Sequence, residues 1–392
     1  MAANEIDLSE EQFGRSVPFG TFARLRATAP VWWYERDRCW VVTSYRDVER
    51  VNRDPKVFSS AGGPIPPDDP GHPELPIMLA DDPPVHTGYR RLVAGYWTPR
   101  AVARHRELVQ EVVDEVVREF REKGGGDFVA DVAGPIPFRI IAALVGIPPE
   151  DAPLLWRWTN TLMPSKDPDY RADADAPARA SRELDDYFGQ LLAAHRRSPR
   201  EDLTDAVLAA GRDGNPLEER EMRDFLALFL TGGNETTRHL LSHTAAALID
   251  NPGECRRLVS GEVSVDAAVE EMLRISSPVM HHSRWAVEDT VVAGTRIAAG
   301  DRVTLWMISA NHDERVFDRP ERLDLGRNPN PHISFGGGGP HFCLGVHLAR
   351  MEASVAFEAL KPVFSVLEAA GPVERVWTNF FNGIKRMLVA LG

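Results

Sequence analysis

Apolar residues recur every three to four positions along most of this chain, as in Leu108, Val112, Val113, Val116 and Val117, or Leu184, Tyr187, Phe188, Leu191 and Leu192. Such stripes predict amphipathic helices that bury one face. Strand-like runs are few. Val31-Trp-Trp-Tyr and Cys39-Trp-Val-Val predict a hairpin near the start, and Thr290-Val-Val, Arg302-Val-Thr-Leu-Trp-Met and Arg386-Met-Leu-Val-Ala add short pieces. The expected class is mainly α with small β-sheets. One helix stands out for length. It is predicted to start after Asn215-Pro216, where proline suits the first turn, and to run to about Asp250, before Asn251-Pro252. At 1.5 Å per residue it spans about 50 Å, enough to cross a whole domain.

Composition narrows the setting. A chain of 392 residues with 43% hydrophobic residues can bury one extensive core, and no repeat, linker or composition step divides it, so residues 1–392 are expected to form a single domain. No apolar stretch approaches the ~20 residues that span a bilayer, and Met1 to Glu11 is acidic and polar, so no membrane insertion and a cytoplasmic, monomeric protein are expected. Three widely spaced cysteines support no disulfide framework. The net charge of −13 argues against nucleic acid. Basic residues nevertheless crowd at Arg90, Arg91, Arg100, Arg104 and Arg106, with Arg350 further on. They form either a solvated helix face or a docking patch for an acidic electron-transfer protein.

The most chemically specific run is Phe335-Gly-Gly-Gly-Gly-Pro-His-Phe-Cys343-Leu-Gly345. Gly336 to Gly339 lack a Cβ, so the backbone can turn tightly and lie against a large flat ligand, while Gly345 clears the other side of the sulfur. The Ala/Leu-rich stretch from Val346 reads as a helix whose N-terminal N–H groups face Cys343 and favour its thiolate. Cys39 and Cys255 read as core cysteines. In the middle of the long helix lies Thr231-Gly-Gly-Asn-Glu235-Thr236-Thr237. Adjacent helix glycines cost roughly 1 kcal/mol each against Ala, so Gly232 and Gly233 point to a required space, with a local kink or bulge freeing a carbonyl. An acid beside a hydroxyl is a proton-delivery pair. The plain alternative is a kinked helix with a back-bonded threonine. A zinc site of His341, Cys343 and His347 lacks a nearby fourth ligand.

Together the glycine loop, its cysteine and the following Val-His-Leu-Ala-Arg resemble the haem-ligand segment of a cytochrome P-450 of the bacterial soluble type. The loop is one residue longer than the commonest spacing, which places Phe335 one step further from the cysteine. The resemblance implies the cytochrome P-450 fold and haem b, with Cys343 as the iron ligand. It implies Phe335, Gly345 and Gly232 against the cofactor, and Glu235 and Thr236 as the catalytic acid–alcohol pair. Propionate donors are expected at His86, Arg90, Arg284 and His341, and a structural ion pair at Glu271 and Arg274, with a third partner from Asn311 to Phe317. The substrate pocket is expected between the Gly62 to Leu79 loop (Ile77, Met78, Leu79), Leu228, and Val279, Met280, His282, Phe380 and Phe381. His281, Asn379 and Asn382 would add polar handles, although the two histidines are equally read as hydrogen-bonded strand residues.

The activity implied is hydroxylation of a C–H bond of a largely apolar small molecule with O2 and two electrons from a ferredoxin and ferredoxin reductase, in natural-product biosynthesis. A steroid or lipid hydroxylase, a coupling or desaturating enzyme, and one acting on a carrier-bound amino acid are the alternatives. A haem sensor or carrier is the non-enzymatic one, and Gly232-Gly233 beside Glu235-Thr236 argues against it.

Overall fold

The computed structural model describes residues 6–65, 77–163, 165–169, 175–212 and 215–392. Helices form the bulk of it: α1 (Val85–Val93), α2 (Arg106–Lys123), α3 (Pro135–Val145), α4 (Ala152–Thr161), α5 (Ala176–Arg197), α6 (Glu219–Asp250), α7 (Val265–Ser276) and α8 (Val346–Phe364), with shorter ones between. Both periodic stripes fall where they were predicted, in α2 and α5. The α6 helix starts at Glu219, three residues past Pro216, because Glu218 and Glu221 form a reciprocal capping box. Asn215–Pro216 instead pairs with Gly211–Arg212 in a short hairpin.

The strands make two main sheets. In the first, β1 (Val31–Tyr34), β2 (Cys39–Val42), β3 (Phe58–Ser59), β5 (His281–Ala286) and β6 (Arg302–Trp306) take the order β1-β2-β6-β5-β3. The expected hairpin is there, with Val31 opposite Val42 and Tyr34 opposite Cys39. In the second, β4 (Gly125–Asp127), β7 (Leu367–Arg375) and β8 (Ile384–Leu391) run in the order β7-β8-β4.

The α6 helix is the axis of the helical part and packs on α3, α5, α7 and α8. Phe225, Leu226, Phe229, Leu230, Leu240, Leu241 and Leu248 on it are at most 4% exposed, and burying each such side chain stabilises the fold by roughly 1.5–3 kcal/mol. This packing fixes the middle of α6 opposite the N-terminus of α8, where the cysteine loop ends. Cys39 and Cys255 are buried as core residues. Among the described residues no helix is long and apolar enough to cross a membrane.

Candidate active site

The loop before α8 takes the form its glycines allow. Gly336, Gly337, Gly338 and Gly339 have φ of 99°, 62°, 100° and 80°, all in the left-handed region. Two of them have no room for a side chain either: a Cβ on Gly339 would lie 2.2 Å from the Asn52 carbonyl oxygen, and one on Gly338 2.7 Å from Arg53 Nε. Asn52 Nδ2 donates to the Gly336 carbonyl at 2.9 Å and Arg53 Nε to that of Gly337 at 3.1 Å. The Cys343 N–H closes the loop on the Phe335 carbonyl at 2.9 Å. The Phe335 ring lies under Arg350, 4.7 Å from the guanidinium carbon, and Arg350 is held by Glu270.

The Cys343 side chain is partly accessible but closely surrounded. Burial pushes its thiol up, while the Gly345 N–H and the charges of Arg90 and Arg350 pull it down. A bound metal ion removes the remaining proton outright. His347 is exposed on the first turn of α8, and the zinc reading gains no support: among the described residues only His195, Asp202 and Asp205 bring potential ligand atoms together, far along the chain and already hydrogen-bonded.

His86, Arg90, Arg284 and His341 come together, as expected, into a donor cluster. The His86 and His341 rings stack with centroids 4.0 Å apart. His341 Nε2 donates to the Asp81 carbonyl at 3.1 Å, Arg90 to that of Phe342, and Arg284 to those of Ser283 and, by its side chain, Asn52. Burial lowers the pKa of every one: His341 to about 3, Arg284 to about 10, and His86 and Arg90 below their ordinary values. Mutual repulsion adds to this, Arg284 and His86 acting on His341. Such a cluster is built to receive anionic oxygens. Two buried nitrogens without a protein partner, His86 Nδ1 and Trp97 Nε1, fit the same ligand. Trp97 carries no motif that the sequence reading singled out; the signal is its orphan N–H and its ring, 3.9 Å from where a Cβ on Gly345 would stand.

On the opposite side, α6 runs through Gly232 and Gly233 as continuous α-helix, so the bulge that was one of the two expectations there is not formed. The two glycines differ in kind. A Cβ on Gly232 would meet nothing within 4 Å, whereas one on Gly233 would stand 3.0 Å from Ile141 Cγ1 of α3. Gly232 therefore leaves space, and Gly233 is a packing glycine that lets α3 approach. The Thr236 hydroxyl donates to the Gly232 carbonyl at 3.3 Å. Glu235 is 4% exposed, with Asn234 Nδ2 donating to Oε1 at 3.0 Å and Arg238 paired to Oε2. Burial raises its carboxyl above the usual range, against the lowering effect of Arg238. Glu352 of α8 is also buried, bonded to the Thr237 hydroxyl, and burial raises its carboxyl well above the usual range. It links the cysteine helix to the helix carrying Glu235 and Thr236.

Glu271 and Arg274 form a fully buried bidentate pair at 2.8 and 2.9 Å. The third partner is Arg327, whose Nε lies 3.0 and 3.1 Å from the Glu271 oxygens, and not a side chain of Asn311 to Phe317. Arg315 is spent on Asp313, and Asn311 contributes only its carbonyl to Arg274.

The expected pocket residues divide. Leu228, one turn before Gly232, and Ile77, Leu79, Val279 and Phe381 are half-buried. Phe380 is buried against Phe381, and Met78 is folded into the core. Met280 and His282 were misassigned. Met280 is 0% exposed and packs with the N-terminal segment and Trp306. His282 lies on β5 and bonds Asn52 Oδ1 at 2.7 Å, bracing the glycine loop from behind. The polar handles are likewise committed: Asn379 donates to the Leu8 carbonyl, Asn382 to that of Ser276, and His281 is wedged between Trp306 and Phe380. Residues 66–76 of the expected roof lie outside the described residues.

A cysteine presented at a helix N-terminus, a cationic cluster for carboxylates and a helix cleared at one glycine define a thiolate site for a haem. The comparisons agree. The sequence model described as cytochrome P450 matches residues 264–375. A steroid C26-monooxygenase of Rhodococcus jostii is 35% identical, covering 96% of this chain and 82% of its own. A methyl-branched lipid omega-hydroxylase of Mycobacterium tuberculosis is 36% identical over 94% of this chain and 90% of its own. A Mycobacterium marinum cytochrome P450 solved in complex with pseudoionone superposes with a TM-score of 0.91, at 35% identity, over 99% of this chain and 98% of that one. The chain belongs to the cytochrome P450 family, an oxygen-incorporating monooxygenase whose cofactor is haem b.

Proposed function

We propose that this cytochrome P450 hydroxylates the terminal methyl region of a branched aliphatic chain, on a steroid or a lipid, with electrons from a separate ferredoxin and reductase. The observation that carries this reading is the commitment of His282, Asn379 and Asn382 to internal hydrogen bonds, which leaves Leu228, Ile77, Leu79, Val279 and Phe381 to meet the substrate. Apolar walls select by shape and burial, at about 0.8 kcal/mol per CH2. The steroid and branched-lipid activities named for two relatives fit such walls.

Cys343 would hold the iron, His86, Trp97, Arg90, Arg284 and His341 the two carboxylates, and Gly232 would clear one face. The haem, when bound, supplies dioxygen activation and attack on the C–H bond. Thr236 gives its one hydroxyl proton to the Gly232 carbonyl, which leaves its oxygen free to accept a hydrogen bond in the space beside that glycine and would hold a proton-donating water there. Glu235, whose carboxyl burial raises above the usual range, is the proton source behind it. Glu271, Arg274 and Arg327 hold the loop before Cys343 from below and take no part in the chemistry. The exposed Arg91, Arg100, Arg104 and Arg106 would steer an acidic ferredoxin, and three free cysteines suit a reducing cytoplasm.

Spin-state titration of the purified haem protein tests the substrate class. A long methyl-branched fatty acid and a steroid with a full branched side chain should shift the Soret band at low micromolar concentration, and testosterone, which lacks that side chain, should bind more weakly. Tight binding of a polar macrolide and none of the branched lipids would return the reading to natural-product tailoring.

A further inference from the structure

Glu235 does not stand alone on its face of α6. His239 follows one turn later and His243 two turns later, the spacing that aligns side chains on a helix. His239 is 0% exposed, and neither ring nitrogen has a hydrogen-bond partner. Buried polar nitrogens are nearly always paired. Its Nε2 lies 3.7 Å from Glu235 Oε2. The ring packs on Phe381, and its Cε1 would come within 3.2 Å of a Cβ on Gly383 in the β7–β8 turn. The other charged or titratable groups facing it are Arg238 and His243 from α6 and Arg375 from β7. His243 is tied to the Asn382 carbonyl at 2.9 Å.

Inserting one oxygen atom of O2 and releasing the other as water consumes two protons per turnover, and one carboxyl group stores one. Glu235 must therefore be reloaded within each turnover. We propose that His239 is the residue that reloads it. Once Glu235 has given up its proton, the Nε2 proton of neutral His239 moves to the carboxylate, and Nδ1 takes up the solvent proton that the reaction consumes. The imidazole ends neutral with its tautomer exchanged, and a half-turn about the Cβ–Cγ bond brings the protonated nitrogen back to face Glu235 for the next transfer. This role rests on the reading of Glu235 as the acid. His239 acts only through Glu235, as a positioning and relay residue. The direction of transfer agrees with the surroundings: burial, then Arg238 and His243, hold the imidazole well below its ordinary pKa, while burial raises the carboxyl.

Infrared difference spectroscopy of the holoprotein during transfer from H2O to D2O tests this. The carbonyl stretch of protonated Glu235 is assigned by its loss in Glu235→Gln, and its deuterium shift reports how fast the proton exchanges. His239→Gln, with His239→Asn as a second variant of the same kind, should slow that exchange on the order of a hundredfold, the scale of one positioned acid–base group. A merely structural role would loosen the site and speed exchange, so unchanged or faster exchange overturns the relay. Wild-type and Glu235→Gln proteins are also compared for NADPH-driven O2 consumption with a surrogate ferredoxin and reductase. Equal rates would remove the acid role and the relay with it; a slow Glu235→Gln beside unslowed exchange in the His239 variants would remove the relay alone.

Discussion

The two adjacent glycines of α6 make opposite predictions for the same substitution. Replacing helix-interior Gly by Ala contributes about 1 kcal/mol of helix propensity at either position. At Gly232 the new methyl meets nothing within 4 Å, so Gly232→Ala should stabilise the haem-free protein by about 1 kcal/mol. At Gly233 it meets Ile141 Cγ1 at 3.0 Å and Cδ1 at 3.1 Å, on a side chain that is 0% exposed and cannot swing away. Overpacking of this kind costs roughly 1–3 kcal/mol, so Gly233→Ala should be neutral to about 2 kcal/mol less stable. The cofactor reverses the ranking. The Gly232→Ala methyl intrudes on the space that the bound cofactor and oxygen require, so this variant should lose turnover while gaining stability, and Gly233→Ala should keep its turnover while losing stability. Urea denaturation of the haem-free variants reads the first comparison, and NADPH-coupled product formation reads the second. A double-mutant cycle with Ile141→Ala should show coupling of about 1–3 kcal/mol for Gly233→Ala and none for Gly232→Ala. Equal stability of the two alanine variants would refute the division of roles.

Further expectations follow from other contacts. Arg327→Ala leaves Glu271 and Arg274 short of a charge partner in the interior and should cost about 3–5 kcal/mol, whereas Arg15→Ala, in an exposed pair with Glu11, should cost under about 1 kcal/mol; denaturation midpoints separate them. Thr236→Ala should leave cofactor content unchanged and divert NADPH into hydrogen peroxide, measured as peroxide per NADPH; unchanged coupling would sink the role of its hydroxyl. His281 titrates at about 3 in the fold, pushed down chiefly by burial, against 6.5 when exposed. Its contribution to stability is therefore complete above pH 6.5 and falls by about 1.4 kcal/mol per unit as acid is added toward the folded value. His281→Phe should flatten the fall in unfolding free energy between pH 6.5 and 4, and an unaltered slope would mean that other groups carry it.

What the chain disclosed beforehand was local. Four consecutive glycines before a cysteine have few uses, and all four do take positive φ. The β1–β2 hairpin and the length of α6 were legible because alternation and helical periodicity act over neighbouring residues. What escaped was long-range pairing. Arg327 meets Glu271 from an irregular loop with no period to place it. The bond between Glu352 and Thr237 joins two helices that are distant in sequence. Met280 and His282 were assigned to the wrong side because residues 280–286 are largely buried on both faces, so polarity gave no phase. Gly232 and Gly233 looked alike until the distance to Ile141 divided them.

The central claim is that Cys343 offers a thiolate to a haem iron. The carbon monoxide difference spectrum of the dithionite-reduced protein tests it most directly, taken beside Cys343→His. The natural chain should show a Soret band near ~450 nm and the variant one near ~420 nm. A natural chain that shows only the shorter wavelength when freshly purified and fully loaded, or that takes up no haem, would contradict it.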